Sequence, residues 1–238
     1  MCIFIAKLIM QLFYQPQITE GVLSLDTDES RHAIKVLRLK AGDILDLTDG
    51  QGHFYKAEIT QADARKCGFE IVEKTAVPLA PIYKHIAIAP TKNIDRLEWF
   101  VEKAVEFGID RISLVLCHHS ERKVVKNDRL ERKVISAMKQ SLKAWLPQID
   151  TLQPIEQFLK SAEADQKFMA YVDKDNPNHL KELKADTGHQ LVLIGPEGDF
   201  SAAEVEMALE LGYQKVSLGK SRLRTETAGI AAVHLLNL

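Results

Sequence analysis

The chain has 238 residues, 46% of them apolar, and its 31 Lys and Arg nearly balance 33 Asp and Glu, for a formal charge of −2. That length holds one large domain or a small one plus a medium one, and the balance excludes a whole-protein field that would draw it onto nucleic acid, so any such binding rests on local patches. Three cysteines, Cys2, Cys67 and Cys117, odd in number and far apart, argue against a disulfide framework and suit a reducing, cytoplasmic compartment.

Residues 1–12 are mostly apolar, but Lys7 interrupts the run and no small-residue cleavage site follows, so they do not read as a signal peptide. Met10 reads as an alternative start, with residues 1–9 an N-terminal extension and Leu12-Phe13-Tyr14 the first strand. No later segment approaches the ~18 uninterrupted apolar residues that span a bilayer, and no membrane association is expected. From residue 12 to 74 the signals are mainly strands: 44–48 leads through Asp49-Gly50-Gln51-Gly52 into 53–59, then 68–73, with one short helix around 30–37. This pattern predicts a small β-barrel domain over residues 10–75, and the prolines at 78 and 81 mark residues 76–81 as a linker.

From residue 82 to 238 strands alternate with helices, the pattern of a mostly parallel sheet covered on both faces. Expected elements are a strand at 85–89; a helix at 94–107 with Leu97, Val101, Ala104 and Val105 on one stripe and Gly108 as its stop; a strand at 112–116; a helix at 129–145 halted by Pro147; and a strand at 168–172. Leu191 to Ile194 form a strand that exits through Gly195-Pro196-Glu197-Gly198. Ser201-Ala202-Ala203-Glu204 reads as a capping box opening a helix that Gly212 closes. Val216-Ser217-Leu218 exits through Gly219, and Thr225 or Glu226 starts the last helix, through 236.

Common nucleotide motifs fail on spacing. Gly219-Lys220-Ser221 has the tail of a P-loop, but Gln214 stands where its first glycine belongs; Gly50-Gln51-Gly52 lacks the third glycine of a dinucleotide fingerprint and sits in a hairpin. Cys117 beside His118 and His119 has no second ligand pair at metal spacing, and no metal is expected. The Gly195 and Gly219 loops instead bring bare backbone close to a flat ligand at the carboxyl ends of parallel strands, with Ile194, Leu218 and Leu223 as an apolar slot that suits adenosine.

Gly195-Pro196-Glu197-Gly198, Leu218-Gly219 and Leu223-Arg224-Thr225-Glu226-Thr227-Ala228 closely resemble the cofactor-binding motifs of the SPOUT methyltransferases, in particular the RsmE family of 16S ribosomal RNA uridine-N3 methyltransferases. The resemblance runs through most of the chain: Met10 to Tyr14 and His32 to Asp43 are similar to that family's PUA-like RNA-binding domain, and Lys92, Glu102-Lys103-Ala104, Glu106 to Ile109 and Gln140-Ser141 to its catalytic domain. It implies an α/β fold of SPOUT type, with a C-terminal trefoil knot behind the PUA-like barrel. It also implies S-adenosylmethionine held bent by Ile194, Gly195, Pro196, Glu197, Gly198, Leu218, Gly219, Leu223, Arg224, Thr225 and Ala228, and a homodimer whose active site is completed across the interface. The substrate implied is 16S rRNA of the small ribosomal subunit. Two departures from the family pattern are Asp199, where a glycine is frequent, and Ser221-Arg222 before Leu223, which leaves open which arginine faces substrate.

Methylating N3 of uridine requires loss of its proton and stabilisation of a uracil anion. Arg224 supplies a fork of donors for O2 or O4; Glu226 or Glu197 accepts the proton, directly or through water, or Glu197 faces the cationic sulfonium. For RNA, Lys92, Arg122, Lys123 and Arg129 belong to a stretch from 120 to 143 with eight basic against three acidic residues, and Arg31, Lys35, Arg38 and Lys40 form a second patch. Both are read as phosphate contacts. His118, His119 and Ser120, just after a strand, either line the substrate groove or are satisfied loop residues. A related SPOUT enzyme acting on transfer RNA or another ribosomal base, and a non-catalytic RNA-binding assembly protein, are the alternatives.

Overall fold

A computed structural model describes residues 11–171 and 178–238. Met10, the extension 1–9 with Cys2, and Val172, where a strand was expected to end, lie outside the described residues. The chain forms two units, one of residues up to Leu79 together with Met138–Leu146, the other of Ala80–Ala137 and Pro147–Leu238.

The first unit holds β1 (Leu12–Tyr14), a short helix α1 (Thr27–Arg31) that runs into a π turn at His32–Val36, and the strands β2 (Ile44–Thr48), β3 (His53–Gln61) and β4 (Gly68–Ala76). Asp26 starts α1 by accepting the Glu29 N–H at 2.8 Å. The sheet order is β1-β2-β3-β4, with β1 parallel to β2 and the remaining pairs antiparallel. Period-two alternation turns Leu45 and Leu47 of β2, and Tyr55, Ala57 and Ile59 of β3, onto a core shared with Phe13, Leu25, Ala33, Cys67 and Phe69. The start of β4 is not left open: Leu25 N–H donates to Cys67 O at 2.9 Å and Phe69 N–H to Leu23 O at 3.1 Å, which bends the sheet toward closure.

The second unit contains β5 (Ile82–Ile88), α2 (Ile94–Phe107), β6 (Arg111–Leu116), α3 (Asn127–Gln140, its last turn in the first unit), β7 (Gln148–Ile149), β8 (Gln153–Pro154), α4 (Ile155–Ser161), β9 (Gln166–Ala170), α5 (Leu180–Leu183), β10 (Gly188–Ile194), α6 (Ala202–Glu210), β11 (Gln214–Val216) and α7 (Thr225–Leu236). Its sheet runs β11-β9-β10-β5-β6-β7, with every neighbouring pair parallel. The central strands read as unbroken apolar runs because helices cover both faces; residues 86–89 and 191–194 are all buried. Asn93 caps α2 and Gly108, at φ 91°, ends it. The expected capping box at Ser201 and Glu204 is complete in both directions. Gly229 lets α7 close on α2, since a Cβ there would strike the Phe100 ring.

One helix ends earlier than its sequence suggests. α3 stops at Gln140, Leu142 takes a left-handed conformation (φ 54°), and the following residues belong to the first unit. There the Trp145 indole donates to Val77 O at 3.1 Å, Gly52 N–H donates to Ala144 O at 2.9 Å, and Leu146 N–H to Gly50 O at 2.9 Å. Trp145 prolongs the apolar spacing of α3 in sequence, but its ring is required against the Gly50-Gln51-Gly52 turn, and the hydrogen bonds of that turn replace further helix.

Candidate active site

β10, β9, β5 and β11 end at one edge of the sheet, where open parallel sheets hold ligands. Beyond Ile194 the chain enters a turn closed by the Asp199 N–H on Pro196 O at 3.0 Å. Asp199 stands at φ 63°, a conformation that favours glycine, and steadies itself by accepting the Phe200 N–H at 2.8 Å on its own carboxylate. Gly195 and Gly198 serve close approach: a Cβ on the first would lie 2.9 Å from the Phe200 ring, and on the second 2.9 Å from His119 Cβ. Arg224, in extended conformation, precedes α7, and its carbonyl accepts the Ala228 N–H at 2.7 Å.

Between these segments lies a cavity of about 450 Å³. Ala170, Ile194, Pro196, Leu223 and Ala228 form its apolar wall; Glu197, Asp199, Arg222 and Arg224 supply charge of both signs; Gly195 and Thr225 complete it. Of the residues expected to hold the cofactor, Ile194, Gly195, Pro196, Glu197, Leu223, Arg224, Thr225 and Ala228 line this cavity, while Gly198, Leu218 and Gly219 lie outside its lining. Gly219, at φ 127°, forms a turn in which Ser217 Oγ accepts its N–H at 3.2 Å and donates to its carbonyl at 3.1 Å. Ala170, Asp199 and Arg222 are additional lining residues. Asp199 and Arg222 were visible as departures from the family pattern, whereas Ala170 gets there only through the register of β9 on β10, for which no local signal exists.

The two candidate proton acceptors, Glu197 and Glu226, are placed differently. Glu197 lines the cavity, and its Oε1 accepts the backbone N–H of Lys92 at 3.0 Å. Glu226, one residue past Thr225 and so about 100° around the helix, turns toward α2 instead. Its Oε1 lies 3.8 Å from Arg96 Nη1, and its buried Oε2 has no hydrogen-bond partner among the described residues. With Asp95, Arg96, Trp99 and Thr227 it lines a second cavity of about 300 Å³.

The loop after β6 braces the site. His119 Nδ1 is 3.0 Å from Asp199 O, and the His118 N–H donates to Glu204 Oε1 at 2.7 Å; Ser120 Oγ accepts the Cys117 N–H at 3.0 Å. Ser120 Oγ and one ring nitrogen of His119 are thus bonded within the site's own loops, while the His118 side chain is exposed. Burial, and then the Glu204 charge, push the Cys117 thiol up, which disfavours the thiolate form. Among the described residues no group of three or more His, Cys, Asp or Glu could hold a metal ion, and no helix is long and apolar enough to cross a membrane.

The basic residues are of two kinds. Arg129 is engaged by Glu98 and by Asp95, the latter at 3.5 Å; Lys92 Nζ pairs with Glu121 at 2.8 Å; and Arg122 donates to the carbonyls of Thr91 and Lys92. Lys123 lines an open cavity of about 370 Å³ with Lys92, Glu121, Arg122 and Val124. In the first unit Arg31, Lys35, Arg38 and Lys40 are all exposed, on α1, the π turn and the segment after it, with Arg38 at φ 58°.

The lining has the chemistry that S-adenosylmethionine calls for, an apolar wall beside charged groups of both signs. A family model for an RNA methyltransferase domain matches residues 78–237, and one for an RNA methyltransferase PUA domain matches residues 25–72. The ribosomal RNA small subunit methyltransferase E of Rickettsia conorii is 28% identical over 222 residues, covering 91% of this chain and 89% of the relative. The crystal structure of a probable rRNA-methyltransferase from Porphyromonas gingivalis superposes with a TM-score of 0.87 at 44% identity, over 96% of this chain and 98% of that one. The ribosomal RNA small subunit methyltransferase E of Neisseria gonorrhoeae, bound to S-adenosyl methionine, gives 0.83 at 27%, over 94% and 95%. A two-part match to the family models and a shared fold along nearly the whole chain agree with the geometry of the cavity: the chain belongs to the RNA methyltransferase family of the ribosomal RNA small subunit methyltransferases E, the RsmE family.

Proposed function

We propose that this protein methylates N3 of a uridine in the 16S rRNA of the small ribosomal subunit, with S-adenosylmethionine as donor. The observation that carries the reading is the cavity between residues 194–199 and 222–228, which sets carboxylates and arginines around an apolar wall at the carboxyl ends of parallel strands. The cofactor, when bound, supplies an electrophilic methyl group on a cationic sulfur. Ile194, Pro196 and Leu223 would hold its apolar part away from water, and Glu197 and Asp199 would offer negative charge to its cationic groups.

Arg224 offers its fork of donors to a uracil oxygen as negative charge builds there, an interaction that strengthens as the proton leaves. For the proton itself, placement favours Glu197 over Glu226, because only Glu197 lines this cavity. Lys92 N–H occupies one oxygen of that carboxylate, which leaves the other for the proton or a bridging water.

The same reading takes residues 10–75 as the RNA-binding domain, 76–81 as a linker and 82–238 as the catalytic domain, working as a cytoplasmic homodimer with a knotted C-terminal segment. The basic residues Arg31, Lys35, Arg38, Lys40 and Lys123 supply phosphate contacts. The test is methylation of small subunits from a strain lacking the enzyme, followed by nucleoside analysis. N3-methyluridine is expected; a different methylated nucleoside, or none, overturns the reading.

A further inference from the structure

Resting on the methyltransferase reading, we infer that Arg122 is a positioning residue for the cofactor loop, acting through the Thr91–Lys92 peptide. The Arg122 guanidinium donates from Nε to Thr91 O at 3.0 Å and from Nη2 to Lys92 O at 2.6 Å. On the other side, Lys92 N–H donates to Glu197 Oε1 at 3.0 Å. Thr91 O and Lys92 N–H belong to one peptide unit, which is planar and trans, so its carbonyl and its N–H point in opposite directions. Drawing the carbonyl toward Arg122 therefore aims the N–H at Glu197.

The rest of the loop supports this aim. Thr91 is fully buried and its hydroxyl donates to Asn93 O at 2.7 Å, while Asn93 caps α2, so the peptide is held at both flanks and Arg122 sets its remaining rotation. Three loops, from the carboxyl ends of β6, β5 and β10, are thus joined in the order Arg122, Thr91–Lys92, Glu197. Two donors of a planar fork are committed to two carbonyls, a geometry a lysine ammonium on a flexible stem does not reproduce. A residue in this role acts on cofactor affinity, whereas a phosphate contact acts on RNA affinity and its salt dependence.

The experiment measures S-adenosylmethionine affinity by calorimetry without RNA for the wild type, Arg122→Ala, Arg122→Lys, Glu197→Gln and the Arg122→Ala, Glu197→Gln double variant, with melting curves to show that each is folded. Roughly tenfold weaker binding is expected in Arg122→Ala and also in Arg122→Lys, with the double variant no weaker than the worse single one, because Arg122 acts only by placing the Glu197 carboxylate. The salt slope of RNA binding should stay at its wild-type value. Wild-type cofactor affinity in folded Arg122→Ala, recovery by lysine, or additive losses in the double variant overturn the inference; should Arg122→Ala not fold, Arg122→Lys and Glu197→Gln decide on the same readout. A wild type that does not bind S-adenosylmethionine would instead overturn the function on which it rests.

Discussion

The hydroxyl of Thr225 donates to the carbonyl oxygen of Gly195 at 3.1 Å, joining the first turn of α7 to the exit of β10. Thr225 is buried, so this bond lies out of bulk water, and both residues line the cavity. Thr225→Val keeps the shape but leaves that carbonyl without its donor, and should cost about 1–2 kcal/mol of stability together with a several-fold loss of S-adenosylmethionine affinity. Thr225→Ser should stay near wild type. Chemical denaturation and calorimetry on both variants check the pair; a Val variant with unchanged affinity would show that the contact only closes the fold.

Arg222 and Arg224 both reach the cavity, and the chemistry separates them. If Arg224 holds the developing uracil charge, Arg224→Ala should lower kcat by about two orders of magnitude or more while cofactor Kd changes less than about threefold. Arg222→Ala should do the reverse, weakening the cofactor more than turnover. Single-turnover methylation alongside calorimetry distinguishes them, and near-normal turnover in Arg224→Ala removes it from the mechanism.

Local signals were legible where a side chain acts on its own neighbours. Gly108 ends α2 through a left-handed φ, Ser201 and Glu204 close a capping box, and the Gly195 exit is cut by the chain's need for close approach; each is written within a few residues. What depends on register or on a distant partner was not. Ala170 lines the cavity only because β9 pairs with β10, and the side on which Glu226 emerges from α7 depends on where the helix starts. Trp145 continues a helical spacing, yet the first unit claims it. The short elements β7, β8, α4 and α5 gave no period long enough to read.

Gly52 and Gly212 offer a paired test of that packing. Both have positive φ, 90° and 84°, but a Cβ on Gly52 would overlap the Trp145 ring, whereas nothing lies within 4 Å of one on Gly212. Gly212→Ala should cost only the backbone strain, about 1–2 kcal/mol. Gly52→Ala adds displacement of the indole and the hydrogen bond it gives Val77, for a total on the order of 3–4 kcal/mol. Equal losses in urea titrations would mean that the ring moves aside freely.

The basic residues of the second unit should differ in what they do for RNA. Arg129 is already neutralised by Glu98 and Asp95, while Lys123 has no ion pair among the described residues. Replacing Lys123 by Ala should reduce the slope of log K against log salt by about one, and Arg129→Ala should leave it nearly unchanged. Binding titrations across a range of salt concentrations measure both, and equal slopes would place the phosphate backbone elsewhere.

His85 makes the fold sensitive to acid. It is 2% exposed, with Nε2 2.7 Å from Ser113 Oγ and Nδ1 3.3 Å from His189 Nε2. Ser113 gives its single proton to Asp150, which Arg111 also binds at 2.7 Å, so His85 Nε2 must carry a hydrogen and Nδ1 must accept one from His189. A proton added at Nδ1 would face that N–H directly. Burial first, then the charges of Arg111 and His189, opposed by Asp150, push the His85 pKa down to about 3 from 6.5, and burial also lowers that of His189. Above 6.5 neither the folded nor the unfolded chain protonates His85, and stability is whole. As pH falls below 6.5 the unfolded chain takes up a proton that the native state refuses, so stability falls until about pH 3, by on the order of 2 kcal/mol between pH 6.5 and 4.5 from His85 alone. Asp150, whose pKa is lowered from 3.8, adds its loss only at lower pH, which leaves the window from 5 to 6.5 to the histidines. Urea midpoints across that window should fall with acid in the wild type and fall less steeply in His85→Gln, where His189 alone still titrates, since glutamine can donate to Ser113 and accept from His189 without titrating; an equal slope in both would assign the acid sensitivity to other groups.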